Sequence, residues 1–300
     1  MPELPEIEII RQQLSRDVVG LKVKEAAVAA PKTVKRNKTT KAFQEHLEGR
    51  TIKAVGRLGT SLVLELDDGS SLVIDAKETG HIRRAKSAKE VKAKHTTAVL
   101  SFTKSGQLRL VDAKGAAEMY VSTPPAEGTV TKVSPASTVS MGGEGAAMRQ
   151  RVPELAGLGF DPVEDVMSWE RFAIVLRARS MAIRTFLVDQ TLVSGIGAIY
   201  ADEICFAAGL RPDRATDSLS TTEVRRLWRS LVEIIAEAIK HGGTTTAVTE
   251  FGDIHGVAGK FQDLLEVHGR DGESCRRCRR PISTSKVDNR LVYVCERCQI

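Results

Sequence analysis

Four cysteines constrain the end of this chain more tightly than any other feature constrains the rest. Cys275, Cys278, Cys295 and Cys298 read C-x2-C-x16-C-x2-C. Each C-x-x-C places two thiolates on one tight turn, and two such turns complete a tetrahedral zinc site. Paired disulfides or a redox C-x-x-C are the alternatives. Both are disfavoured in a chain whose start is no signal peptide and whose two motifs stand at zinc spacing. Four thiolates leave no open position for water, so the expected Zn²⁺ is structural, one per chain. The metal makes foldable a hairpin too small to bury a core of its own. The run Leu291-Val292-Tyr293-Val294 supplies a short strand between the pairs, which gives a zinc ribbon. Cys205 stands alone in an apolar helical context and reads as a small buried hydrophobe.

The same segment carries most of the charge. The chain has 44 Lys+Arg against 38 Asp+Glu, a net +6. From residue 275 to the end there are seven basic side chains and two acidic ones, nearly the whole excess. Basic stretches at 32–41 and 83–94 are partly offset, and read equally as solvated surface. A basic balance points to a polyanionic partner without establishing one. Aromatic content of 4% argues against a single-strand binder built on stacked rings. No apolar run reaches the roughly 18–20 residues of a membrane span, and the acidic start lacks the basic and apolar regions of a signal peptide. A soluble, cytoplasmic protein with no membrane partner is expected.

Three hundred residues suit two globular domains and a small appendage. Residues 6–17 read as a helix, with Ile7, Ile10 and Leu14 near helical spacing. Short apolar runs follow at 21–29, 51–58, 61–66, 71–75, 97–102 and 107–111, separated by turn residues such as Gly69 and Gly106. At least six strands without regular helices between them indicate a β-sandwich or barrel. Residues 122–145 are rich in Ser, Thr, Pro, Gly and Ala and read as a mobile linker. Helices are expected at 164–179, 181–193, 197–208 and 221–241, the last ended by Gly242-Gly243. A Gly/Thr-rich loop at 244–260 is of the sort that lies over a site. The expected divisions are 1–121, a linker at 122–152, a helical part at 153–268 and a zinc finger at 269–300. The fold class is α+β, a β-sandwich with a flanking helix followed by helices and a zinc-ribbon hairpin.

The N-terminus has a second possible use. Pro2 is small enough for Met1 to be removed by methionine aminopeptidase, leaving a secondary amine. Such an amine titrates near pH 8 (about 7.7–8.0), so much of it is neutral at physiological pH. A neutral amine attacks an aldehydic carbon to give an iminium, an electron sink for elimination. Glu3 and Glu6 beside it could shuttle protons. The competing reading is that Pro and Glu simply start a helix. On these residues alone that reading is the stronger.

Taken together, the motifs resemble one family. Met1-Pro2-Glu3-Leu4-Pro5-Glu6-Ile7-Glu8 resembles the N-terminus of the formamidopyrimidine-DNA glycosylase / endonuclease VIII family. Asp189 through Glu203, containing Ser194-Gly195-Ile196-Gly197, resembles its helix–two-turn–helix motif. Gly242-Gly243-Thr244-Thr245, Lys260-Phe261-Gln262, Val267-His268-Gly269-Arg270 and the four cysteines resemble its C-terminal half, closer to the formamidopyrimidine branch. The resemblance spans nearly the whole chain in the correct order. It implies a DNA repair glycosylase and abasic-site lyase acting on damaged double-stranded DNA, as a monomer in the cytoplasm on nucleoid DNA. By position, Pro2 is the nucleophile and Glu3 the general acid/base, with successive β- and δ-elimination. Glu6 contacts the lesion. Gly195, Gly197, Lys260 and the finger residue Arg290 contact DNA, and the loop covers a flipped oxidised purine.

Several positions depart from the family pattern. Thr60 stands where the family has a lysine that binds phosphate. Asp75 replaces a phosphate-contacting histidine, and Glu78 a methionine that fills the void left by the flipped base. A charge inside a base stack is costly. In Asp112-Ala113-Lys114-Gly115-Ala116-Ala117 the family's intercalating arginine and phenylalanine wedge is gone. Ala198 replaces an asparagine. Two readings follow: an enzyme with altered lesion preference, for lesions already extrahelical, bulky or abasic, or a catalytically impaired paralogue that binds damaged DNA without excision. A zinc-ribbon transcription or RNA-binding protein is a third reading, and it leaves the N-terminus and the helical motif unexplained.

Overall fold

The computed structural model describes residues 2–104, 106–126, 129, 132–247 and 250–300. Met1, whose removal the sequence predicts, lies outside the described residues, as do 127–128 and 130–131 of the compositional linker and 248–249 of the loop. The chain forms two compact units. The first comprises Met1–Thr131, Gln150–Leu155 and His241–Gln262, and the second Lys132–Arg149, Ala156–Lys240 and Asp263–Ile300.

The first unit begins with helix α1 (Leu4–Asp17), two residues earlier than its apolar spacing indicated. Pro5 sits in the first turn, where its missing N–H costs nothing. Glu3 and Glu6 close a capping box there, with Glu3 N–H donating to Glu6 Oε2 at 2.8 Å. Strand β1 (Val23–Val28) and helix α2 (Thr40–Leu47) follow. Then come β2 (Ile52–Leu58), β3 (Ser61–Leu66), β4 (Ser71–Asp75), β5 (Gly80–Ala85), β6 (Thr96–Phe102), β7 (Gln107–Asp112) and β8 (Glu118–Ser122). They make two four-stranded antiparallel sheets, ordered β1-β6-β7-β5 and β2-β3-β4-β8. One apolar core joins them. Ile7, Ile10 and Leu14 of α1 meet Leu62, Leu64 and Ile74 of one sheet and Ile82, Leu100 and Leu110 of the other. The unit is therefore a β-sandwich with a flanking helix, as expected, with two more strands than the sequence showed.

β5 was not legible in the sequence for a physical reason. β5 reads Gly-His-Ile-Arg-Arg-Ala, and its arginines look like surface. Arg84 is instead buried, donating to the Ala85 and Gln107 carbonyls (2.7 and 3.1 Å) and lying over the Phe102 ring at 5.4 Å. The start of the basic stretch 83–94 is thus structural. In the other stretch, Lys35 and Arg36 pair with Glu118 of β8 at 2.7 and 2.8 Å.

The second unit is helical. It contains most of α3 (Glu144–Arg151), and all of α4 (Trp169–Arg177), α5 (Ile183–Val188), α6 (Ala198–Ala208) and α7 (Thr221–Lys240). α6 is buried nearly all round, which is why its sequence is apolar without a clear face. Phe160, Phe172, Phe186 and Trp228 stack edge-on or tilted at 5.2–6.3 Å. The stretch read as a linker holds structure in its described part. Ser134 N–H donates to Ala156 O at 2.9 Å, its Oγ bonds Thr191 O at 2.5 Å, and Ser134 and Ala136 are buried. Its small polar residues satisfy backbone groups in turns, which composition alone reads as linker. Cys205 is fully buried, as expected, and burial pushes its thiol pKa well up.

Residues 241–262 group with the sandwich, although the sequence placed them with the helices. The reason is apolar burial: Phe251 and Ile254 enter the sandwich core.

Candidate active site and zinc centre

Pro2, Glu3 and Glu6 come together at the buried start of α1. Glu6 is 2% exposed, and both its carboxylate oxygens are engaged. Oε2 accepts the Glu3 N–H, and Oε1 accepts the Thr244 N–H at 2.7 Å. The Gly-Gly-Thr-Thr stretch is therefore bonded to the helix that starts beside Pro2. Gly243 makes this approach possible. Its φ is +78°, and a Cβ there would meet Glu6 Oε1 at 2.9 Å.

One helical turn on, a buried ion pair that sequence reasoning missed fixes the helix. Arg57 of β2 is fully buried, and its Nε donates to Glu8 Oε2 at 3.0 Å while Nη1 donates to Gly59 O. Arg11 and Gln12 complete the shell of Glu8. Burial alone would raise the Glu8 pKa. The hydrogen bond from Arg11 and the charge of Arg57 outweigh it and hold the carboxyl below its ordinary range.

Of the departures from the family pattern, those at Thr60, Glu78 and Ala113–Ala116 fall on three connections of the sandwich, Asp75 ends β4 and Ala198 begins α6. Thr60 and Gly59 form the two-residue turn between β2 and β3, with Gly59 at φ +56°. Glu78 is exposed on the β4–β5 connection, and Ala116 is exposed on the β7–β8 connection. Thr79 Oγ1 donates to Asp112 Oδ1 at 2.6 Å and ties these two loops together. Asp112 also accepts the Ala117 N–H at 2.7 Å and the Lys114 N–H at 3.0 Å. Burial raises the Asp112 pKa, but the bond from Thr79 and the backbone donors leave it lowered overall. Asp75 is occupied locally, paired with Lys77.

In the second unit, two turns separate α5 from α6. Gln190 organises them. Its Nε2 donates to Val188 O and Ile196 O, and its Oε1 accepts the Gly195 N–H at 2.7 Å. Gly195 takes φ +87°, and Gly197 is the N-cap of α6, followed by Ala198. Behind the motif, Glu203 accepts three backbone N–H groups, from Glu266, Val267 and His268, at 2.8–3.0 Å. Burial pushes its carboxyl up, and the three donors oppose that. His268 Nδ1 lies 2.8 Å from Asp202 Oδ2. The acids at 202 and 203 thus brace the entry to the finger. Their place in the helical motif is the only sequence signal that pointed to them.

The finger is a hairpin of β9 (Ser283–Val287) and β10 (Arg290–Val294). Asp288 and Asn289 both take positive φ, as a two-residue turn of this kind requires. Arg290 follows that turn and is exposed. Cys275, Cys278, Cys295 and Cys298 bring their sulfurs within 4.8 Å of one another. The Cys278–Cys295 and Cys275–Cys298 separations are 3.4 and 3.9 Å. A tetrahedron of Zn–S bonds of about 2.3 Å has edges of about 3.8 Å, so the donor set fits the ion. The four thiolates form a structural Zn²⁺ site. Lys260 lies in the first unit and is exposed, with its N–H bonded to His241 O.

Comparisons with known proteins agree along the chain. The family model described as "Formamidopyrimidine-DNA glycosylase N-terminal domain" matches residues 1–119. Those described as "Formamidopyrimidine-DNA glycosylase H2TH domain" and "Zinc finger found in FPG and IleRS" match 158–250 and 272–300. The chain is 31% identical to the formamidopyrimidine-DNA glycosylase of Pelotomaculum thermopropionicum, covering all of this chain and 99% of that one. It is 33% identical to that of Enterococcus faecalis, covering all of this chain and 97% of that one. Among solved structures it is similar to Lactococcus lactis Fpg bound to abasic-site DNA (28% identity, 99% of each chain, TM-score 0.80). It is equally similar to MutM bound to DNA containing carbocyclic 8-oxo-G (28%, 99% of each chain, TM-score 0.81).

Proposed function

From the premise that this chain belongs to the formamidopyrimidine-DNA glycosylase family, we propose that it is a DNA repair glycosylase with abasic-site lyase activity whose lesion preference is shifted. The observation that carries this reading is the buried constellation of Pro2, Glu3 and Glu6, bonded through Glu6 to the Thr244 backbone. With Met1 removed, the Pro2 nitrogen attacks C1′ of the damaged nucleotide. The N–C1′ bond forms as the glycosidic bond breaks, and the base leaves with a proton from Glu3. The Pro2 N–H proton is then lost, the C1′–O4′ bond of the sugar opens as O4′ takes up a proton, and the resulting iminium acidifies C2′–H. Loss of that proton expels the 3′-phosphate, and a second elimination expels the 5′-phosphate.

Glu6 serves this site chiefly by holding the loop, since both its oxygens are already bonded. Arg290, Lys260 and the backbone at Gly195 and Gly197 bind phosphates. The partner is damaged double-stranded DNA, met by a monomer in the cytoplasm. No helix among the described residues is long and apolar enough to cross a membrane.

One observation favours a second reading, binding without efficient excision. Glu78 places a carboxylate, and Ala116 a methyl group, on two tied loops where the family pattern carries a void-filling methionine and an aromatic wedge. A wedge offsets the cost of unstacking when a base is flipped. Incision of an abasic duplex and of an 8-oxoguanine duplex, read on a denaturing gel, separates the two readings. Faster cleavage of the abasic strand, leaving phosphate at both ends of the gap, supports the enzyme. Glu78→Met is expected to raise activity on the paired lesion severalfold and leave single-stranded abasic DNA unchanged. Equal effects on both substrates would count against the wedge account.

A further inference from the structure

We propose that Gln13 and Arg83 are positioning residues that set the 244–260 loop for reading a flipped base; this rests on the reading that the loop covers the lesion. The geometry begins on α1. Residues 6, 13 and 17 are spaced i, i+7 and i+11, so they share one face of the helix. Each meets the loop. Glu6 accepts the Thr244 N–H at 2.7 Å. Gln13 donates to Asp253 Oδ2 at 2.7 Å and accepts the Ile254 N–H at 3.2 Å. Asp17 Oδ2 lies 4.0 Å from His255 Nε2. Two turns of helix, about 10.5 Å, thus carry the near and far parts of the loop.

Arg83 of β5 holds the far part from another direction. Its Nη1 donates to Gly252 O and Asp253 O, both at 2.9 Å, and the Arg84 N–H donates to Ile254 O at 2.8 Å. The Thr245 hydroxyl closes the base of the loop. It donates to Phe251 O at 2.9 Å and accepts the Gly259 N–H at 2.8 Å. The described loop residues 244–245 and 251–259 are therefore bonded in one arrangement relative to the helix that begins beside Pro2. Gln13 and Arg83 are required for it because each meets two adjacent loop residues at once.

An abasic site supplies the control, because it has no base for the loop to read. Gln13→Leu and Arg83→Met are compared with wild type on a duplex carrying one 8-oxoguanine and on the same duplex carrying an abasic site. Excision of 8-oxoguanine is expected to lose at least tenfold in kcat/KM, mainly through KM, while abasic incision stays within twofold. Arg83→Lys is expected to recover part of the loss. Hydrogen exchange at the Ile254 and Arg84 amides is expected to quicken at least tenfold in both variants, with β3 amides unchanged.

Equal losses on both duplexes, unchanged excision, or unprotected Ile254 and Arg84 amides in the wild type would overturn the proposal. A wild-type chain inactive on both duplexes overturns the functional reading instead. The exchange data and the Kd values for the two duplexes then decide the role of Gln13 and Arg83 separately.

Discussion

Glu6 and Gly243 show how closely single residues are matched at the candidate site. The glutamate has two acceptor oxygens, and two backbone N–H groups occupy them. The glycine has no Cβ, and a Cβ at φ +78° would come within 2.9 Å of that carboxylate, which would have to shift. Gly243→Ala is therefore expected to strain the backbone by about 1–3 kcal/mol and to push the loop from Glu6. Denaturant unfolding and 8-oxoguanine excision, measured side by side, check this. Lost excision with stability lowered by that amount is the expected pair. Unchanged excision would show that the contact does not matter for the reaction.

Glu3 and Glu6 were legible because the motif names them. Glu8 and Arg57 were not, because the burial of Arg57 depends on a partner 49 positions away. A buried pair of this kind is costly to break one-sidedly, by about 3–5 kcal/mol, which is why the helix start is fixed in place.

At the scale of elements, local signals succeeded where they were self-contained. The end of α7 at Gly242 was read from sequence, and its start is set by a capping box that is also local. Ser220 N–H donates to Glu223 Oε2 at 2.8 Å, and Arg214 Nη1 donates to Glu223 Oε1 at 2.5 Å. The Arg214 bond, followed by the Ser220 N–H, lowers the Glu223 pKa from 4.5 to about 2. A depressed folded-state pKa contributes stability that is present above the unfolded value and is lost as pH falls through the folded one. Glu223→Gln should therefore lower Tm at neutral pH, and the gap to wild type should close as pH falls from 4.5 toward 2. Thermal melts across that window test it, and a gap independent of pH would contradict it. Local signals failed for β5, where arginine heads bond carbonyls inside the sheet, and for residues 132–145, where small polar residues build turns.

Across the whole molecule, the order of sandwich, helical motif and finger was readable, because each part carries its own periodicity or ligand spacing. The grouping of residues 241–262 with the sandwich was not. It rests on Phe251 and Ile254 finding a core built from residues far away in sequence. The charge also changes meaning at this scale. Of the basic side chains in the finger, Arg277 lies over Phe206 at 4.0 Å and donates to its carbonyl, and Arg276 donates to Asp263 O. These two hold the finger to its own unit. Arg290 is left exposed after the hairpin turn, where the proposed function has it bind phosphate. On the proposed reading, in which Glu78 and Ala116 disfavour flipping of a paired base, abasic DNA is expected to be the better substrate.

The most direct test is reductive trapping of the chain on DNA. Protein with a verified Pro2 N-terminus is incubated with an abasic-site duplex and borohydride, beside a form that retains Met1. A covalent protein–DNA adduct that maps to Pro2 and disappears in the Met1-retaining form is expected. Measurable binding of the duplex with no adduct, or an adduct on a lysine, would contradict it.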